Sequence, residues 1–469
     1  MVKLSLATSE LARLFGLEIS GSDVQVSGVA ISANEVESGD LFVAIQGAKH
    51  HGLDFLETAI ERGAVAVLSD RGISGITSLI ASDPKARLGE ICNAVLGSVE
   101  QSLFAVTGTN GKTSTANYLF QILERLGQSP GLAGSTGMRF GDQTIPSPLT
   151  TAELTTTRKF LSKHAAQGGK TAVLEVSAQA LVRHRVAGLR FQVAGFTNLS
   201  RDHLDDFASM QDYFDAKARL FDPAVCSKAV IFVGDDWSQR LAHDLEIPKV
   251  LVGKGQEIDY RYGEEMLTLS GKLNLQIGFD QGELMARNLA LALAMAHAAG
   301  FTEGQLQTYA KDFDPIAGRL ERVSDRLPHS YVDYAHTPDG IGSAVTELLS
   351  RYPGVTLVFG ASGNRDKGKR PEMGAAAALA TRVVLTDQHP RDENPADIRF
   401  SVAEGLLACG KTFTEIPDPE QAFRFALTIT PREHAVLWCG PGHLKYREIA
   451  GSKVPFDARA IAKLAVEDS

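Results

Sequence analysis

The sequence predicts an α/β protein of three domains, the central one carrying a phosphate loop on a mostly parallel sheet. Three observations predict it. A chain of 469 residues exceeds what one ordinary core serves, so two or three domains are expected, and three fit best. Apolar runs of strand length recur along it between segments with helical spacing, the pattern of parallel strands joined by crossover helices. Residues 102–127 read SLFAVTGTNGKTSTANYLFQILERLG, an apolar run, a glycine-rich turn and a helical segment.

That stretch is strand, loop and helix. Gly108 and Gly111 let the backbone turn tightly, so that the N–H groups from Thr109 and Asn110 to Ser114 can face an anion. Lys112 adds a point charge and the Thr113 hydroxyl suits Mg²⁺, which makes a nucleoside triphosphate such as ATP the natural guest. Val106 stands where a longer loop would need its first glycine, so the loop is the shorter Gly-Thr-Asn-Gly-Lys-Thr variant. A chance Gly-Lys-Thr is disfavoured by the strand-to-helix context.

Composition narrows the class. Apolar residues make up 44% and charged residues 22%, ordinary values for chains that bury a core. Lys and Arg number 47 against 56 Asp and Glu, a net charge of −9 that argues against a nucleic-acid partner. Cys92, Cys226, Cys409 and Cys439 lie far apart with no paired spacing, so neither a zinc site nor a disulfide framework is expected. The N-terminus lacks a signal-peptide pattern and no apolar run reaches spanning length, so a cytoplasmic protein without membrane insertion is expected.

Along the first domain, expected over residues 1–98, Thr8-Ser9-Glu10 opens a helix, and VSGVAIS, GDLFVAIQG and GAVAVLSD read as strands. LDFLETAIERG has helical spacing and ends on Gly63 as a C-cap would. The second domain, expected over 99–318, continues with the strands KTAVLEVS, FQVAGFTN and KAVIFVG. Polar residues close them: Glu175 and Ser177, then Thr197 and Asn198, followed by Ser200-Arg201-Asp202-His203. Ligands of open α/β sheets bind at such carboxyl ends. Lys217 lies on a helix among apolar residues, where a lysine ordinarily snorkels.

The third domain, expected over 319–469, repeats the pattern with SYVDYAHTPDG, VTLVFGASGNRDKGKRP, RVVLTDQHPRDENP and AVLWCGPGHLKY. Arg365, Lys367, Lys369, Arg370 and Arg391 form a basic cluster beside glycines at strand ends, which favours an anion site over a solvated charge run. With candidate metal ligands Thr113, Glu175 and His203, the residues describe an ATP- and Mg²⁺-using enzyme working between domains. A kinase, an ATP-dependent ligase and a nucleotide-driven switch all remain open.

Several ordered motifs together resemble the Mur ligase family, and within it the members that add the third residue of the peptidoglycan stem peptide. They are TGTNGKTST, LTTAE at Leu149 to Glu153, LEVSAQALVRHRV, FTNLSRDHLD, YFDAKARLF, AGRLERV, VDYAHTPDG and GNRDKGKRPEMG. The resemblance implies an N-terminal domain for the UDP end of the substrate, a central ATPase and a C-terminal Rossmann-like domain. It implies that ATP phosphorylates the D-glutamate carboxylate of UDP-MurNAc-L-Ala-D-Glu and that an amino acid then displaces phosphate. A monomer is expected. The paralogues that add D-Ala-D-Ala, and folylpolyglutamate synthase, are disfavoured by the RDKGKRP loop, and a non-catalytic nucleotide-binding paralogue is the alternative of another class.

Carried onto this chain, the resemblance makes Lys112, Glu175, His203 and Lys217 catalytic. One Mg²⁺ belongs near Thr113 and Glu175 and a second near Glu175, His203 and Lys217, the matching lysine being carbamylated in the family. Asn288, Arg319, Asp333 and His336 match positions that hold adenosine and phosphates. Ser32, Thr150, Thr151, Ser177 and Arg185 match the UDP-sugar site, with Gly47 and Ala48 flanking the uracil.

Arg365, His389, Arg391, Gly440 and Leu444 fall in the amino-acid pocket, where the chain departs from pattern. Members using meso-diaminopimelate carry Asp-Asn-Pro-Arg; this chain has Gln388-His389-Pro390-Arg391. They also carry Gly-Lys-Gly-His-Glu where this chain has Gly440-Pro441-Gly442-His443-Leu444. The carboxylate that pairs the distal ammonium is gone, which implies a different third residue: ornithine, diaminobutyrate or homoserine.

Overall fold

The computed structural model describes residues 5–47, 50–255, 257–263 and 267–468. Among them, the three large sheets occupy successive stretches of chain. The N-terminal five-stranded sheet runs Glu18–Ser20, Thr77–Ile80, Ala66–Ser69, Asp40–Val43, Gly28–Ala30, parallel except at its first pair. The stretch expected as one helix before Gly63 divides into a 3-10 turn, Gly52–Phe55, and a helix, Leu56–Glu61.

The central sheet has eleven strands. Its middle, from Pro130–Gly134 across Thr171–Glu175, Ser102–Thr107 and Val193–Phe196 to Tyr260–Tyr262, is parallel. Antiparallel ribbons extend both ends, Gly137–Phe140 with Gln143–Ile145 and Leu267–Gly271 with Leu275–Ile277. Strand Ser102–Thr107 sits between two parallel neighbours, so its side chains from Leu103 to Thr107 are buried on both faces. That explains an apolar run with no alternation.

The helix Lys112–Arg125 follows that strand and packs on the helix Glu283–Ala298, whose Leu289, Leu291, Leu293 and Met295 are all but fully buried. Each such side chain contributes about 1.5–3 kcal/mol by leaving water. The C-terminal six-stranded sheet, from Glu321–Ser324 to Thr414–Glu415, is parallel beyond its first pair. The hydrophobic core is continuous across the central and C-terminal sheets, running from Phe104 to Cys439.

Candidate active site

The phosphate loop has room for nothing larger than glycine at two points. Gly108 has φ +146, and a Cβ there would stand 1.9 Å from the Thr197 hydroxyl. Gly111 has φ +83, and its Cβ would stand 2.4 Å from Asn288 Oδ1. Lys112, the first helical residue, turns back so that Nζ donates to the Gly108 and Thr109 carbonyls, each at 2.9 Å. Burial lowers its pKa, with Glu175 and Asp202 opposing.

Next to it the Thr113 hydroxyl donates to Glu175 Oε2 at 2.8 Å and accepts from Arg319 Nη2 at 2.9 Å. Glu175 ends the neighbouring strand, opposite Val106, and its Oε1 accepts from the Ser135 N–H at 2.9 Å. Arg319 arrives from the far side of the cleft and stacks 4.3 Å over the Tyr334 ring. The Thr109 and Asn110 N–H groups, expected to face an anion, instead donate to the Asn198 carbonyl and Oδ1 at 2.9 and 3.0 Å. The N–H groups at the start of the helix, with a lysine, an arginine, a hydroxyl and a carboxylate around them, are therefore the set suited to a polyphosphate.

Lys217 does not snorkel. It is 1% exposed; its Nζ donates to the Gly108 carbonyl at 2.8 Å and lies 4.4 Å over the Tyr213 ring. Burial, and Lys112 nearby, push its pKa well below the usual value. His203, held at φ +57, has Nε2 3.3 Å from Asp202 Oδ2. His336 stands 3.8 Å from the same oxygen, and burial drives its pKa down to about 4. Burial would raise the Asp202 carboxyl, yet His203, Lys369 and His336 together hold it well below the ordinary range.

The basic cluster of the third domain is not a bare anion site. Lys369 Nζ donates to Asp202 at 2.8 Å, and Arg365 meets Asp205 at 3.7 Å. Lys367 and Arg370 both face Glu393, while Arg391 Nε donates to Glu448 Oε2 at 2.6 Å. Arg201 adds pairs with Asp366 at 3.4 Å and Glu372 at 2.6 Å. The loop after strand Val193–Phe196 and the loop after Val355–Phe359 are therefore joined across the domain gap by opposite charges.

Lys112, Thr113, Arg319, Asp202, His203, His336, Lys369, Arg365 and Arg391 open onto one cavity of about 1140 Å³, while the buried Glu175 and Lys217 are not among the residues that line it. The loop from Thr109 to Ser114, with Asn288, Arg319, Asp333 and His336, lines one wall. Thr150, Ser177 and Arg185 line another wall; Thr151 lies behind it and donates to the Glu175 carbonyl at 2.8 Å. Arg185 is held by Glu153 at 2.7 Å. Arg365, His389, Arg391, Gly440 and Leu444 line the third wall. Ser32 and Gly47 are not among the residues lining the cavity, and Ala48 lies outside the described residues.

Sequence reasoning missed Ser135, Tyr334 and Glu448 as cavity residues, and the ion-pair role of Asp202 and Lys369. Only Asp202, beside His203 at a strand end, carried a local signal. Among the described residues no three His, Cys, Asp or Glu side chains converge as a cation cage. One carboxylate and one hydroxyl beside a phosphate loop fit Mg²⁺, which takes few protein ligands and completes its shell with phosphate oxygens and water.

Profiles of the Mur ligase family match the chain in three stretches: the catalytic domain at residues 25–95, the middle domain at 106–296 and the glutamate ligase domain at 318–442. A UDP-N-acetylmuramyl-tripeptide synthetase of Leifsonia xyli subsp. xyli is 40% identical, covering 98% of this chain and 96% of the relative. A UDP-N-acetylmuramoyl-L-alanyl-D-glutamate--2,6-diaminopimelate ligase of Caldanaerobacter subterraneus subsp. tengcongensis is 36% identical over 96% and 97%. A solved ligase of that second name superposes with a TM-score of 0.69 at 27% identity, covering 99% of both chains.

Proposed function

The chain belongs to the Mur ligase family, and we propose that its cavity adds the third amino acid to UDP-MurNAc-L-Ala-D-Glu through an acyl phosphate. The enzyme is an ATP-dependent amide ligase of peptidoglycan precursor synthesis. One observation carries the assignment of residues: Lys112, Thr113 and Arg319 line a single cavity that reaches Arg391 and Leu444, and the buried Glu175 carboxylate is hydrogen-bonded to Thr113.

The γ-phosphate lies over the loop, where the N–H groups and Lys112 stabilise charge as it spreads over the transferring oxygens. Lys112 exchanges the Gly108 and Thr109 carbonyls for phosphate oxygen, and Arg319 brings a second cation from the opposite wall. Mg²⁺, held by Thr113 and Glu175, supplies Lewis-acid neutralisation of the phosphates. A D-glutamate carboxylate oxygen bonds to the γ-phosphorus and ADP leaves. The amine of the amino acid then attacks the acyl carbon, loses a proton and expels phosphate, leaving the amide. The altered Gln388-His389-Pro390-Arg391 loop and Leu444 make a third residue other than meso-diaminopimelate our reading.

Lys217 becomes a carbamate: its amine adds to CO₂ with loss of a proton, turning a cation into an oxygen ligand beside His203. Supporting this, burial favours the neutral, nucleophilic amine, and the recorded hydrogen-bond partner of Nζ is a carbonyl. All assigned residues come from one chain, so a monomer suffices. We assign it to the cytoplasm, where ATP and UDP-linked precursors are at hand; no helix among the described residues is long and apolar enough to cross a membrane.

Purified protein is given ATP, Mg²⁺ and UDP-MurNAc-L-Ala-D-Glu with single amino acids in turn. Phosphate release needing both substrates, with a product heavier by one residue, supports the reading. Tight ATP binding without release for any amino acid would instead favour a non-catalytic relative, and clear preference for meso-diaminopimelate would remove the specificity argument.

A further inference from the structure

The wall of the cavity that holds His389, Arg391 and Leu444 contains one carboxylate that the family-based assignment does not use. Glu448 lies on the strand Tyr446–Ile449, which clasps the Gln388–Arg391 loop at four points. Its N–H donates to His389 Nδ1 at 3.0 Å and its carbonyl accepts from the Arg391 N–H at 3.0 Å. Its Oε2 accepts from Arg391 Nε at 2.6 Å, and Arg447 Nε donates to the Gln388 carbonyl at 2.7 Å. Despite partial burial, the Glu448 pKa is lowered by Arg391, so the carboxylate is ionised at neutral pH.

The arrangement leaves hydrogen-bonding capacity facing the cavity. Among the described residues, Glu448 Oε1 has no hydrogen-bond partner and neither has Arg391 Nη2, while Nη1 donates to the Gly363 carbonyl at 3.1 Å. Lys453 opposes Glu448 across the hairpin without an ion pair to it. The other cavity carboxylates are committed elsewhere. Asp202 is held by Lys369, Asp206 by Gln179 and Arg183, Asp339 by Asn110. Asp235 caps a helix and Asp333 accepts backbone N–H groups.

Resting on the ligase reading, we infer that Glu448 receives the side-chain ammonium of the incoming amino acid, so that the third residue is a diamino acid lacking a second carboxylate. Arg391 Nη2 meets the substrate α-carboxylate beside it, and the apolar Leu444 lines the wall near the methylene stem. A buried ammonium needs such a partner, and a neutral analogue leaves Glu448 without one. Homoserine, with a hydroxyl in place of the ammonium, fits this site less well.

The test compares ornithine with norleucine, and 2,4-diaminobutyrate with norvaline, as pairs of equal shape that differ in charge. Wild-type enzyme should favour the charged member by about a hundredfold in kcat/KM. Glu448→Gln should cut that ratio at least about tenfold, through KM of the diamino acid, and Glu448→Asp should keep most of it. If Glu448 only braced Arg391, both members of a pair would weaken alike; an unchanged ratio in Glu448→Gln, or wild-type preference for homoserine, overturns the inference. Hydroxylamine separates this from the ligase reading, since it traps the acyl phosphate of wild-type enzyme as a hydroxamate without any amino acid. Hydroxamate with an unchanged ratio removes Glu448 alone; no hydroxamate removes the ligase reading and this inference with it.

Discussion

In the proposed mechanism the chemistry depends most directly on Glu175 and Thr113, which share one hydrogen bond at the mouth of the phosphate loop. Glu175→Gln keeps the shape and removes the charge; kcat for phosphate release should fall about a hundredfold to a thousandfold while the melting temperature stays near wild type. For Lys217, depletion of CO₂ and bicarbonate should lower activity and restoring bicarbonate should recover it; indifference to CO₂ would contradict the carbamate. His389 offers a pH test. Burial depresses its pKa from 6.5 to about 4, so the unfolded chain takes up its proton before the folded one does. Its contribution is intact above pH 6.5 and is lost as pH falls toward 4, amounting to about 2 kcal/mol by pH 5. Unfolding titrations of wild type and His389→Gln between pH 7 and 5 should converge as the pH falls; parallel curves would contradict the shift.

At the scale of elements, the loop of residues 200–206 and the segment of residues 362–372, a loop running into the helix Lys369–Ala377, are the junction that brings the third wall to the other two. Lys369 and Asp202 are both nearly buried, their side chains 9% and 6% exposed. Removing one partner strands the other's charge, so Lys369→Ala should cost about 3–5 kcal/mol, and Lys369→Met with Asp202→Asn should recover much of it. A double-mutant cycle by chemical denaturation measures the coupling. The strands were legible in the sequence because a strand buried on both faces reads as an unbroken apolar run, as in residues 103–107. The loop was legible because Gly108 and Gly111 stand where a Cβ has no space. The charge pairing was not. Arg201 and Glu372 lie 171 positions apart, and no local pattern says that a basic cluster will meet acids on another domain. The hairpin of Tyr446–Ile449 and Ser452–Pro455 was missed for a related reason: its residues are half-buried or exposed, with no periodic apolar face.

For the whole molecule, function depends on how the C-terminal sheet is carried against the central one. Gly318 sits at that join with φ +63, and a Cβ there would stand 2.2 Å from the Gly442 carbonyl carbon. Gly318→Ala should therefore push the segment of His443 and Leu444 away from Arg319, costing about 1–3 kcal/mol in strain and a larger share of kcat/KM than of ATP affinity. Isothermal titration of ATP beside steady-state kinetics separates the two. In the proposed mechanism all three walls serve a carboxylate that is phosphorylated and then displaced. That claim is tested most directly by supplying UDP-MurNAc-L-Ala-D-Glu with ¹⁸O in the D-glutamate carboxyl groups and analysing the phosphate released during ligation. Transfer of one ¹⁸O atom into each phosphate is the expected result; phosphate free of ¹⁸O alongside amide product would contradict the account.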